Sequence, residues 1–244
     1  MNIIKVKDYQ EMSNRASMHL AEKIQKLDKP VIGLATGSTP EGMYQNLIEK
    51  NNKGELSFKD VTTFNLDEYV GLEKEDPNSY YFYMMDKFFN HIDVPKANVH
   101  LPNGAADDLE KECRDYEKLI SDAGYVDVQV LGIGGNGHIA FNEPGTPFSS
   151  RTHVIDLDES TREANARFFN SMEEVPKQAI TMGIETIMES KEIILLISGE
   201  KKADALARLI ENEETSEDFP ASVLRKHENV TIIADEAAMA KVNK

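Results

Sequence analysis

The chain has 244 residues, of which 29% are charged and 40% hydrophobic, and a formal net charge of -16. Such a length suits one α/β core, no apolar run nears the roughly 18 residues a membrane span needs, and the excess of acids excludes a binder of nucleic-acid backbones, which requires clustered Lys and Arg. The opening MNIIKVKDYQ lacks the basic, apolar and small-residue regions of a secretory signal, so a soluble, cytoplasmic protein with no membrane partner is expected.

Short β-branched apolar runs at residues 3–6, 31–35, 61–65, 128–133, 193–198 and 230–234 read as strands. Between the first two, Met12, Ala16, Leu20, Ile24 and Leu27 form a stripe at helical spacing. Pro40 takes the favoured first position of a second helix, PEGMYQNLIEK. Further helices fit residues 78–91, 107–123, 201–211 and 220–227. Within the second of these, Leu109, Cys113, Tyr116 and Ile120 share one face, which makes Cys113 a buried core thiol rather than a nucleophile. The acidic run ENEETSED at 211–218 reads as an exposed connection. Strands apolar on both faces, alternating with helices, imply an α/β fold with a mostly parallel sheet covered on each side. With no linker or repeat, residues 1–244 are expected to form a single domain.

In such sheets ligands gather beyond the carboxyl ends of the strands, and three loops there are unusual. In ATGSTPEGMY, residues 35–44, Gly37, Ser38 and Thr39 lead into a helix start, an outline of a phosphate cradle. No GK[ST] follows, so a nucleoside triphosphate is not implied; an ordinary capped turn fits the loop equally well. In FNLDEYVGL, residues 64–72, a strand runs directly into Asp67 and Glu68, which suits a general base, although an acid pair here is also a common cap for the next turn. No His pair or further carboxylate accompanies them at ligand spacing, so no metal is expected. The third loop, GIGGNGHIAFNEPGTPF, contains Gly132, Gly134 and Gly137 in a G-x-G-x-x-G pattern. That fingerprint must open a helix, and Pro144, Gly145 and Pro147 forbid one, so a dinucleotide is rejected. What remains is a turn gathering Asn136, His138, Asn142 and Glu143, with His138 the natural proton shuttle and Glu143 its orienting acid. Two later cations, Arg167 and Lys202, are candidates for an anionic ligand, whereas Arg162 and Lys201 read as surface charges.

Taken in order, LATGSTP, FNLDEYVGL, DPNSYYFYM, GIGGNGHIAFNEPG, SRTH, TREANARFF, AITMG and SGEKKADAL closely resemble the glucosamine-6-phosphate deaminase family over nearly the whole chain. The resemblance implies a single-domain three-layer α/β/α architecture with a Rossmann-like, mostly parallel sheet. It implies conversion of glucosamine 6-phosphate and water to fructose 6-phosphate and ammonia, without a cofactor, in amino-sugar catabolism. By motif position Asp67 looks like the base moving a proton between C2 and C1. His138 looks like the ring-opening group tuned by Glu143, and Asn136 stands where some members carry Asp, so an amide replaces a carboxylate as support for an imidazolium. Gly37, Ser38, Thr39, Arg167 and Lys202 would hold the phosphate. Some members are hexamers activated by N-acetylglucosamine 6-phosphate through an Arg and a Lys; His153 and Ile155 stand at those places, so no such activation is expected and an oligomer is possible but not required. The segment 159–174, which carries Arg167, is a candidate lid. The nearest alternatives are a 6-phosphogluconolactonase-like hydrolase and a non-catalytic sugar-phosphate sensor. The absence of a helix-turn-helix or basic patch argues against the latter.

Overall fold

Runs of Val, Ile and Leu without polar alternation satisfy both their backbone and their side chains only when a sheet buries them on two faces, and the computed structural model, which describes residues 1–242, places them so. The last two residues of the expected 1–244 unit lie outside the described residues. In chain order the elements are β1 (Asn2–Val6), α1 (Tyr9–Lys26), β2 (Val31–Leu34), α2 (Ser38–Asn52), β3 (Thr62–Asn65), β4 (Asp67–Tyr69), α3 (Tyr80–Lys87), β5 (Val99–His100), α4 (Leu109–Asp122), β6 (Val128–Leu131), β7 (His153–Asp156), α5 (Glu159–Asn165), β8 (Gln178–Thr181), α6 (Ile184–Met188), β9 (Ile193–Ile197), α7 (Ala203–Glu211) and β10 (Val230–Asp235). Seven strands form one sheet in the order β1-β10-β9-β6-β2-β3-β5, every pair parallel.

Alternate residues of each strand feed opposite cores. Ile32, Leu34, Val128, Val130, Ile194 and Leu196 pack on one side with Met12, Leu20, Met43 and Leu47 of α1 and α2. Val31, Leu131, Ile193, Leu195 and Ile197 pack on the other with Tyr116, Ile120, Ile187, Leu206 and Leu209 of α4, α6 and α7. The architecture is therefore three-layer α/β/α. Cys113 belongs to this interior at 6% exposure, and burial pushes its thiol up to about 11, which makes it inert.

From β2 the chain proceeds outward through β3 to β5, and from β6 it proceeds the other way through β9 to β10. The adjacent strands β2 and β6 thus flank the topological switch point, and the loops that leave them open on one crevice. A second sheet, β4-β8-β7, is antiparallel and lies outside the expected pattern. Its strands DEY, QAIT and HVID are three or four residues long and partly polar, so none carries an apolar run of its own. β5, two residues long, escapes the sequence pattern for the same reason.

Several helix bounds also differ from expectation. The helix expected to open at Pro40 begins at Ser38, because Gly37 takes a φ of 93° that turns the chain into it early. The helix over 78–91 is shortened to α3 with a 3-10 turn at Phe89–His91, and that over 107–123 is α4, capped by Asp108. The 201–211 helix starts as a 3-10 turn, Glu200–Lys202, and 220–227 is a 3-10 helix, Pro220–Lys226. Leu27 lies beyond the end of α1 and is exposed. Among the described residues no helix is long and apolar enough to cross a membrane.

Candidate active site

β6 ends at Leu131 and the chain reverses through its glycines. A Cβ on Gly134 would lie 2.4 Å from the ring of His138, so only glycine lets that ring fold back across the turn. The Gly134 amide donates to the His138 carbonyl at 2.9 Å, closing the turn. His138 Nδ1 then stands 3.4 Å from Glu143 Oε2, and the same oxygen accepts from Asn136 Nδ2 at 2.8 Å. Asn136 Oδ1 accepts the His138 amide at 3.1 Å. Asn136 therefore does what a carboxylate at its place could not: it donates to Glu143 and supports the charge of the acid rather than of the imidazole. Burial pushes the Glu143 carboxyl up, but His138, Thr161 and Asn136 together outweigh it and hold the group below the usual carboxylate range. Asn142, fully buried, donates to the Ile139 and Met182 carbonyls and anchors the turn from beneath. Gly134→Ala is expected to displace the His138 ring and lower turnover on the order of 10²-fold with little change in unfolding temperature, a result that steady-state kinetics beside a thermal melt would check.

The second loop settles which acid is free. Glu68 accepts the backbone amides of Tyr69 and Tyr80 at 2.9 Å and of Tyr81 at 2.8 Å, so it caps α3. Its carboxyl is pushed up to about 7 by burial, against the pull of those amides. Asp67, 7% exposed, has no backbone amide among the described residues claiming its oxygens in this way. Burial first and the neighbouring Glu68 second push its carboxyl up to about 8, the range a general base needs near neutrality. In the second sheet Asp67 pairs with Thr181, whose hydroxyl accepts the Phe141 amide at 3.1 Å. The end of β8 is thus the common anchor of the Asp67 loop and the His138 loop. Tyr69, Tyr80 and Phe141 line this region with rings, Tyr69 and Tyr80 at 4.7 Å and Tyr80 stacked on Phe141 at 6.0 Å. Sequence reasoning passed over this wall, although the aromatic density of NSYYFYM was a signal for it.

At the 35–44 loop, α2 starts at Ser38 with no side chain among the described residues capping it. Tyr83 donates to the Gly37 carbonyl at 2.7 Å and Tyr9 to the Ser38 carbonyl at 2.9 Å, which fixes the loop. Ser38 is exposed and Thr39 half-buried. Lys202, after β9, donates to the Ile133 carbonyl at 2.7 Å and so reaches the edge of the His138 loop. Burial, then the charge of Arg167, lower its pKa, which places the two cations within mutual influence. Two cations thus come together beside the His138 loop of a strongly acidic protein. Lys201 is exposed, as expected of a solvated charge. Arg162 is not: its guanidinium donates to the Met172 and Val175 carbonyls at 3.2 and 3.1 Å, because a planar fork of donors is suited to closing a loop on itself. The acidic run at 211–218 is largely exposed, but Glu217 accepts the Gly145 amide on its carbonyl and the Phe148 amide on its carboxylate. Among the described residues no group of three or more His, Cys, Asp or Glu is placed to hold a metal ion.

An uncapped helix start after β2, a buried carboxyl of raised pKa after β3, a His–Glu pair after β6 and a lysine after β9 under the influence of Arg167 thus lie on loops of an α/β protein. The chain belongs to the family of glucosamine-6-phosphate isomerases and 6-phosphogluconolactonases, which matches residues 7–233. Within it, the chain is 60% identical over 243 residues to the glucosamine-6-phosphate deaminase of Oceanobacillus iheyensis, covering 100% of this chain and 97% of the relative. It is 63% identical over 238 residues to that of Shouchella clausii, covering 98% and 96%. The solved structure of a monomeric glucosamine-6-phosphate deaminase matches with a TM-score of 0.97 at 54% identity, over 99% of this chain and 100% of that one. A 6-phosphogluconolactonase from Thermotoga maritima shares the fold, with a TM-score of 0.76 at 21% identity over 96% and 99%.

Proposed function

We infer that this chain is a glucosamine-6-phosphate deaminase, converting glucosamine 6-phosphate and water to fructose 6-phosphate and ammonia in amino-sugar catabolism. The observation that carries the reading is the buried Asp67 carboxyl, raised to about 8, on a loop tied through β8 to the loop of His138 and Glu143. Hydrolysis of a lactone needs no such base to move a proton between two carbons. Close identity to relatives named for the deamination supports the same choice.

The substrate phosphate binds the α2 amides and hydroxyls of Ser38 and Thr39, at the Gly37 turn, with Arg167 and Lys202 supplying charge. His138, backed by Glu143 and Asn136, moves the proton from the C1 hydroxyl to the ring oxygen, and the pyranose opens to the aldehyde. Ionised Asp67 then removes the C2 proton as the C1 oxygen takes one from solvent, leaving an enolamine across C1 and C2, and Asp67 returns its proton to C1. The resulting iminium at C2 adds water, gives a proton back to solvent and releases ammonia, leaving the ketone. C1 is reduced as C2 is oxidised, so no external oxidant and no cofactor enters. The likeness to a monomeric glucosamine-6-phosphate deaminase supports a protein active without a second subunit, and His153 and Ile155 support one without activation by N-acetylglucosamine 6-phosphate. A sugar phosphate is too strongly charged to cross a membrane unaided, so a cytoplasmic setting follows from the substrate.

Incubation with glucosamine 6-phosphate is expected to give ammonia and fructose 6-phosphate in equal amounts, at a rate unchanged by a chelator. Accelerated hydrolysis of 6-phosphogluconolactone without ammonia release from the amino sugar would overturn the reading.

A further inference from the structure

Helix α5, ESTREAN, is polar except for Ala164, and it buries one residue: Thr161, at 5% exposure. The Thr161 hydroxyl donates to Glu143 Oε1 at 2.5 Å. Four residues on, and so on the same helical face, Asn165 donates through Nδ2 to the Tyr69 hydroxyl at 3.0 Å. Tyr69 follows Asp67 by two residues on β4 and also accepts from the Tyr80 hydroxyl at 3.2 Å. The chain beyond α5 carries Arg167 and returns under Arg162, whose guanidinium closes on the Met172 and Val175 carbonyls. One short helix therefore touches the acid of the ring-opening group and the strand of the C2 base, and leads into a phosphate-binding cation.

We propose that Thr161 is a positioning residue, whose hydroxyl fixes one oxygen of Glu143 so that the other faces His138, while Asn165 docks the same helix against the Asp67 strand. The proposal rests on the deaminase reading of His138 and Glu143. Its physical content is a division of the carboxylate. Oε2 serves Asn136 and His138, and Oε1 serves Thr161. Without the hydroxyl, Oε1 loses its donor and the carboxylate is free to rotate away from a ring already 3.4 Å distant. Thr161 also helps hold the Glu143 carboxyl low against burial, so its removal lets that carboxyl rise. The titratable group facing Glu143 is His138, on its own loop; α5 presents the neutral Thr161, and its Arg162 is turned to the Met172 and Val175 carbonyls.

The test is kcat and KM for glucosamine 6-phosphate, and the titration of the Glu143 carboxyl followed by carbon-13 NMR, in the whole protein and in Thr161→Val and Thr161→Ser. Thr161→Val is expected to lose roughly tenfold in kcat, to keep KM within about twofold of the parent, and to titrate Glu143 at higher pH than the parent; Thr161→Ser restores both. A Val variant with the parent kcat and the parent Glu143 titration overturns the proposal, as does a loss confined to KM or a Ser variant as impaired as Val. If thermal melts show that Val does not fold, Thr161→Ala compared with Ser gives the same decision. A parent protein that releases no ammonia would instead refute the deaminase reading, so the two failures are distinguishable.

Discussion

Asp67→Asn is expected to lower kcat by on the order of 10³-fold, the loss that follows removal of a positioned base, while binding of the sugar phosphate stays within a few-fold of the parent by calorimetry. The amide fills the same space but has no lone pair basic enough to take a carbon-bound proton. In the parent, the Asp67 carboxyl is protonated below about 8, so kcat/KM should rise with pH until that range is passed. The same shift has a consequence for stability. The carboxyl is raised from 3.8 to about 8 on folding, so the folded protein retains a proton that the unfolded chain releases. Stability from this group is complete below the unfolded value and is lost as pH rises through the folded one. Asp67→Asn never ionises, so it should melt at nearly the parent temperature near pH 4 and above it at pH 9, by on the order of 5 °C or more. A gain at acid rather than alkaline pH would show that the carboxyl is not raised.

His138→Gln is expected to lower kcat on the cyclic substrate by on the order of 10²-fold through failure of ring opening, while sparing proton transfer at carbon. The two steps separate experimentally. Exchange of the C1 hydrogen of fructose 6-phosphate with deuterated water, followed by NMR, depends on Asp67 and starts from a ketose that opens without help. His138→Gln should retain this exchange and Asp67→Asn should lose it. If both variants lost it equally, the division of labour between the two loops would be wrong.

The central sheet was legible because its strands are apolar on both faces, a pattern that few other environments produce. VIGLA, VQVLGI, IILLIS and VTIIA each announce themselves. The second sheet was not, since DEY, QAIT and HVID gain their order from one another across long stretches of chain. For the site, residue type indicated a base at Asp67 or Glu68 but could not choose. The choice depends on the start of α3, whose amides occupy Glu68. The glycines of the His138 loop were visible as a pattern, but their reason, the fold-back of one ring over Gly134, is a contact. Arg162 read as a surface charge because its carbonyl partners, Met172 and Val175, leave no mark in a sequence. Thr161 gave no signal, because a threonine in ESTREAN is indistinguishable from a solvated one until its burial is known. Asn136 was read as a weaker support for His138. Its amide is instead a donor to Glu143, a role set by which atom faces the acid.

Asp67 is the group proposed to carry the C2 proton of an amino-sugar phosphate. Ammonia and fructose 6-phosphate, assayed side by side from the parent and Asp67→Asn on glucosamine 6-phosphate across pH 5.5 to roughly pH 9, test this most directly. Expected are equimolar products from the parent, a kcat/KM that climbs toward about pH 8, and an Asn variant that binds substrate but releases almost no ammonia at any pH. A variant that releases ammonia at the parent rate, or a parent that releases none, would contradict that role.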